Sequence, residues 1–228
     1  EGPSLSAVEK RDLVQLACKL APDLAIVLGI ATPSLDEALW LSKQAAKSGA
    51  ASVLVMAPYY FKEASPEGMK EWFVRILEGS PLPVLLYNFP QRSGFTFDSE
   101  FLSAVADHDN LLGVKDSSGD EGNLTLFRQL LPDKLLFVGN ELLLIKALHA
   151  GWNGTISGVA NVIPNWLFEI VEASDEAKFE LIRPTIGLLR SSPQPATNKA
   201  LLQERSVIEH NLVRLPLLPA KSISLPIS

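Results

Sequence analysis

The chain is nearly free of cysteine, with one thiol, Cys18, in 228 residues. A lone cysteine excludes an internal disulfide, and no Cys/His cluster has the spacing of a zinc site. Cys18 lies in "LVQLACKLA" and reads as a small buried hydrophobe on an apolar helix face. Basic charge is also short. Lys and Arg total 20 against 26 Asp and Glu, a net charge of −6. That balance argues against a nucleic-acid or polyanion partner, which needs a basic face. No apolar run reaches the length of a bilayer crossing, and no leader-like segment opens the sequence. No G-x-G-x-x-G or P-loop follows any strand-like run, which sets aside a nucleotide-binding doubly wound domain. The expectation is a cytoplasmic protein that binds neither nucleic acid nor membrane.

Apolar residues, by contrast, are plentiful at 47%, enough for a sizeable core. They fall into short runs that alternate with amphipathic stretches. The runs are "LAIVLGIA" (24–31), "ASVLVMAP" (51–58), "VLLYNFP" (84–90), "LLGVKDSS" (111–118), "LLFVGN" (135–140) and "GTISGVAN" (154–161). They are continuously apolar, the mark of parallel strands covered on both faces. Helices are expected between them. One carries Ser34 and Glu37 at capping-box spacing and Gly49 as its stop. Others start near Asp98 and Asp120. From Pro164 onward the pattern is helical without a further strand. The tail "LPLLPAKSISLPIS" reads as irregular. The expected organisation is a βα portion over 1–163 and a helical region over 164–228.

Repeated βα units imply an α/β fold with a parallel sheet. Six strand-like runs fall short of the eight of a (β/α)8 barrel and would leave exposed sheet edges. The opening "EGPSLSAVEKRDLV" reads as a loop entering a helix capped by Ser6 and Glu9, with no strand before it. The expectation is that roughly two barrel strands are missing before Glu1. An open six-stranded sheet is the alternative.

In parallel α/β proteins the chemistry sits at the C-terminal strand ends. There stand Tyr59 and Tyr60, then Tyr87, Asn88 and Arg92. Next come Lys115 with Asp116, Ser117 and Ser118, then Gly139 and Asn140, and last Ile156, Ser157 and Asn161. A lysine amine can attack a ketone, and the protonated imine is an electron sink for C–C bond chemistry. The amine must be neutral to attack, so a dry surround that lowers its pKa is useful. A tyrosine hydroxyl beside it can relay protons. Ser, Arg or backbone N–H groups can fix a carboxylate. Each residue also has a bland reading. Lys115 could be a solvated strand-end lysine, Tyr87 a core aromatic, Tyr60 an interface aromatic, and Arg92 the partner of a surface acid.

"GAASVLVMAPYYFK", "PVLLYNFPQRSGF", "LLGVKDSSGD", "LLFVGNE", "GTISGVANVIP", "PATNKALL" and "LVRLPLLP", in that order, carry a resemblance over nearly the whole chain. The sequence resembles the dihydrodipicolinate synthase / N-acetylneuraminate lyase family of class I, pyruvate-dependent aldolases. The resemblance implies a (β/α)8 TIM barrel with a C-terminal helical extension. It implies that Lys115 forms a Schiff base with pyruvate or a related 2-oxo acid, with Tyr87 as proton relay. Tyr60 matches a tyrosine that reaches across a dimer interface. Gly139 and Ile156 match positions lining the keto acid, and Asn140 is grouped with them as substrate-binding. Arg92 matches the arginine that binds the aldehyde partner's carboxylate in synthase members.

The expected reaction is condensation of pyruvate with an aldehyde, or the reverse aldol cleavage. Alternatives are a 2-keto-3-deoxy sugar acid or 4-hydroxy-2-oxoglutarate aldolase, or a non-catalytic keto-acid-binding paralogue. No metal or organic cofactor is implied. The resemblance suggests a homo-oligomer, a dimer of dimers. Two departures stand out. Of the family's Gly-Thr-Thr-Gly-Glu loop only Glu1 is matched, and "RSG" replaces the commoner Arg-Thr-Gly.

Overall fold

The computed structural model describes residues 1–226. In chain order the elements are α1 (Ala7–Leu20), β1 (Val27–Ile30), α2 (Leu35–Ser48), β2 (Ser52–Met56), α3 (Pro66–Gly79) and β3 (Val84–Asn88). Then follow α4 (Pro90–Ser93), α5 (Ser99–Val105), β4 (Leu111–Asp116), α6 (Gly122–Leu130) and β5 (Leu135–Val138). The series ends with α7 (Leu144–His149), β6 (Gly154–Thr155), α8 (Pro164–Ala173), α9 (Glu176–Ser191) and α10 (Ala196–Glu204). Among the described residues no helix is long and apolar enough to cross a membrane.

The chain divides into two compact units, and the boundary falls within β5. The first unit covers Gly2–Leu136; the second runs from Phe137 onward and includes Glu1. In the first unit β1, β2, β3 and β4 pair in chain order, all parallel. In the second, Phe137 and Val138 pair with Gly154 and Thr155, again parallel. The α/β class and the parallel βα repeat are as expected from the continuous apolar runs. The strands are shorter than those runs. "GTISGVAN" in particular contributes a strand of only two residues, followed by a 3-10 turn at Val159–Asn161. Gly158 and Asn161 belong to that turn, where the backbone leaves the extended region.

Helix starts follow the side-chain caps. The Ser6 hydroxyl accepts from the Glu9 amide at 3.3 Å, and the Glu9 carboxylate accepts from the Ser6 amide at 2.9 Å. This closes a full capping box at α1. Ser34, Ser65, Asp98 and Asp175 cap α2, α3, α5 and α9 in the same way, each accepting from a backbone N–H. Gly49 ends α2 in the left-handed conformation, φ 85°, which a side chain would strain.

The core of the first unit lies between its sheet and its helices. Val53, Val55, Val84, Leu86 and Val114 of the strands are fully buried, as are Leu41, Phe73, Leu102 and Phe127 of the helices. Phe73, Phe97 and Phe101 form a tight aromatic cluster with centroid separations of 4.7–5.4 Å. In the second unit Ile170, Phe179, Ile182, Ile186 and Leu189 bury the inner faces of α8 and α9. From Pro164 to Glu204 the chain forms α8, α9 and α10, with α9 running unbroken through Pro184.

Candidate active site

The site begins with a register. β3 and β4 are paired so that Tyr87 stands opposite Lys115 and Asn88 opposite Asp116. Side chains alternate faces along a strand, so Tyr87 and Lys115 share one face, and Asn88 and Asp116 share the other. This register depends on an irregularity. Val84 pairs with Leu111 but Leu85 with Gly113, so Leu112 is the extra residue of a β-bulge. Without it Tyr87 would lie opposite Val114, and the lysine would fall on the other face relative to the tyrosine. Gly113 follows at once. A Cβ there would come within 1.8 Å of the Leu135 carbonyl oxygen, so only glycine admits this approach.

On the first face Lys115 Nζ lies 4.2 Å from the centroid of the Tyr87 ring. The ring covers the amine on one side. The Ser117 hydroxyl donates to the Tyr87 phenol oxygen at 3.4 Å, a long contact. The Phe89 ring stacks on Tyr87 at 5.6 Å. The amine and the phenol are both partly buried. An amine and a phenol placed in this way can act as a nucleophile and an acid–base group beside an apolar wall.

On the opposite face a buried polar network fixes the two strand ends. Asp116 is 3% exposed and Asn88 is fully buried. The Asp116 carboxylate accepts from Asn88 Nδ2 at 2.7 Å, the Ser118 amide at 3.0 Å and the Ser118 hydroxyl at 2.8 Å. A fourth donor, Asn123 Nδ2 at the start of α6, stands at 3.3 Å. The Asn88 side-chain oxygen accepts from the Phe97 amide at 3.1 Å. Sequence reasoning placed Asp116 and Ser118 at a strand end without giving them a role, and missed Asn123. The signal was the dense Asp/Ser/Gly pattern of "DSSGD", which favours turns closed by side chains.

The other expected residues are distributed as follows. Arg92 is exposed on α4, its guanidinium 5.8 Å from the Phe89 centroid, so it reaches the Tyr87–Phe89 stack from outside. Tyr60 is 73% exposed, and its ring contact is an edge-on pairing with Phe61. Among the described residues the structure does not bring it against Lys115 or Tyr87. Gly139, Asn140 and Ile156 belong to the second unit. The Asn140 side chain is occupied locally, accepting from the Leu142 amide at 3.3 Å. Ile156 is half-buried and donates its amide to the Val138 carbonyl at 3.2 Å. Next to it, Ser157 donates to the buried carboxylate of Glu141, which Arg190 also holds at 2.6 Å. Glu141 and Arg190 were not anticipated from the sequence. Among the described residues no group of three or more His, Cys, Asp or Glu is placed to hold a metal ion.

The model of the dihydrodipicolinate synthetase family matches residues 1–225. The chain belongs to that family. Among its relatives is a 4-hydroxy-tetrahydrodipicolinate synthase of Alkaliphilus oremlandii. The two are 30% identical, over 98% of this chain and 80% of the relative. One from Listeria innocua is 32% identical, over 95% and 77%. The solved dihydrodipicolinate synthase of Thermotoga maritima superimposes with a TM-score of 0.87 at 30% identity, over 96% of this chain and 78% of that one. The Acinetobacter baumannii enzyme, solved with pyruvate, gives 0.89 at 28% identity over the same shares. The family likeness therefore covers both units and includes the strands that carry Tyr87 and Lys115.

Proposed function

We propose that the protein is a class I, Schiff-base-forming synthase that condenses pyruvate with an aldehyde, of the 4-hydroxy-tetrahydrodipicolinate synthase kind. The observation that carries this reading is the pairing of Lys115 with Tyr87 at adjacent strand ends, Nζ 4.2 Å from the ring. The names of the relatives support the reaction class, and the pyruvate complex of the Acinetobacter enzyme supports the keto acid. The parallel βα units support a (β/α)8 barrel as the working fold.

In this mechanism the Lys115 amine attacks the C2 ketone of pyruvate. Tyr87 gives and takes the protons of carbinolamine dehydration, and water leaves. Loss of a methyl proton gives an enamine. Its carbon adds to the aldehyde, and hydrolysis of the new imine frees Lys115. Arg92, exposed beside the Phe89–Tyr87 stack, is the group for the aldehyde partner's carboxylate. Gly139, Asn140 and Ile156 are assigned to the keto-acid wall. The exposed Tyr60 is assigned to an interface between copies in a cytoplasmic homo-oligomer, a dimer of dimers.

The test is reductive trapping. Protein incubated with pyruvate and borohydride should gain one reduced pyruvate adduct, and peptide mapping should locate it on Lys115. Lys115→Ala should show none. Tyr87→Phe should slow turnover by about 10²–10⁴-fold, the scale of a positioned acid–base group. An adduct that survives in Lys115→Ala would overturn the assignment.

A further inference from the structure

We propose that Asp116 is the positioning residue that aims Lys115 at Tyr87, acting through the Asn88–Ser118–Asn123 network on the outer face of the strands. The proposal rests on the Schiff-base reading above and extends it to residues that never touch substrate. Asp116 directly follows Lys115, and Asn88 directly follows Tyr87. Because successive side chains point to opposite faces, a bond between residues 88 and 116 outside fixes the orientation of residues 87 and 115 inside.

The bond is short, 2.7 Å from Asn88 Nδ2 to Asp116 Oδ1, and both residues are almost completely buried. It is reinforced by the backbone, where the Ser117 amide donates to the Asn88 carbonyl at 2.8 Å. The second carboxylate oxygen is tied to the Ser118 hydroxyl and to Asn123 on α6, and those two groups bond each other at 3.1 Å. Gln91 closes the outer edge by donating to the Ser118 carbonyl at 2.6 Å. Two strand ends, one loop and one helix start thus converge on one carboxylate. An apolar side chain would fill the same space, but it would leave these donors unpaired.

The lysine side chain has four rotatable bonds, so its reach is only as well defined as its backbone. Gly113 fixes β4 two residues before Lys115 by its close approach to Leu135, and Asp116 fixes it one residue after. Displacement of a reacting group by about 1 Å is enough to cost on the order of 10²-fold in rate.

The experiment uses Asp116→Asn, Ser118→Ala and the double variant Asp116→Asn/Asn123→Asp. It reads kcat, the KM for pyruvate, the rate of borohydride-trapped adduct formation and the thermal midpoint. Asp116→Asn turns an acceptor into a donor facing the Asn123 amide and the Ser118 hydroxyl. Its kcat and its trapping rate should fall by about tenfold or more, with the KM for pyruvate within about threefold of the parent. Asn123→Asp on top of it restores donor–acceptor polarity across the same 3.3 Å gap and should recover most of the rate. Ser118→Ala removes one of the four bonds and should lower kcat by a few-fold. It carries the test if Asp116→Asn does not fold.

A lowered thermal midpoint with kcat and trapping rate unchanged, in Asp116→Asn or in Ser118→Ala, would reduce the network to a structural role and overturn the proposal. So would a double variant no faster than the single. A parent protein that traps no pyruvate fails at the earlier step, because there is then no Schiff base to position.

Discussion

Asp116 in the first unit and Glu141 in the second are equally buried, each 3% exposed, yet they are satisfied in opposite ways. Around Asp116 the hydrogen-bond donors are neutral: two side-chain amides, one hydroxyl and one backbone N–H. Glu141 has a guanidinium, Arg190 at 2.6 Å with its side chain 37% exposed, and the Ser157 hydroxyl. A charged partner concentrates the stabilisation in one contact, whereas four neutral donors divide it. The Arg190 guanidinium of α9 instead gathers the turn at Glu141–Leu143 and the Ser157 loop onto one carboxylate.

The comparison breaks most easily at Arg190. Arg190→Met keeps the length of the side chain and removes its charge, leaving the buried Glu141 carboxylate with one hydroxyl. Breaking a buried pair from one side costs several kcal/mol, and the partial exposure of the arginine tempers it, so about 3 kcal/mol is expected in urea denaturation. A loss below about 1 kcal/mol, the scale of a surface pair, would mean that Glu141 reaches water by local rearrangement.

Asn88→Ala is the matching cut in the first unit. It removes the 2.7 Å bond to Asp116 and the acceptor for the Phe97 amide at 3.1 Å. Three donors to the carboxylate remain, so the expected cost is about 2 kcal/mol, most of it from the orphaned Phe97 amide and the lost packing. A cost equal to or above that of Arg190→Met would show that the neutral donors do not share the load.

Much of this was legible in the residues. Continuous apolar runs announced parallel strands, Ser and Asp marked the helix starts, and strand-end position singled out Lys115 and Tyr87. The bulge at Leu112 was not legible, because one extra apolar residue in an apolar run leaves no trace in the pattern. Nor was the Glu141–Arg190 pair, whose members stand 49 residues apart and meet only through tertiary packing. Asn123 was hidden for a related reason. Its helix was read from its Asp120 start, while α6 begins at Gly122 without a side-chain cap. The turn before it is instead closed by Asp120 accepting from the Gly122 amide at 2.8 Å.

The smallest expected effect belongs to a third kind of carboxylate, one in water. Glu67 lies in the first turn of α3, whose cap Ser65 accepts from the Gly68 amide at 3.2 Å. Its own backbone N–H, and then the Ser65 hydroxyl, hold its carboxyl below the usual value of 4.5. A folded-state pKa below the unfolded one means that the stabilisation is complete above that usual value. It is lost as pH falls through the lowered one. The helix dipole adds to it in the same direction. The difference in thermal midpoint between the parent and Glu67→Gln should therefore be small and positive at neutral pH and vanish in acid. It should also shrink with added salt, which screens an exposed charge. The Asp116 and Glu141 networks, being buried, should respond far less to salt. A Glu67→Gln difference that persists unchanged in acid would trace to the side-chain amide rather than to charge.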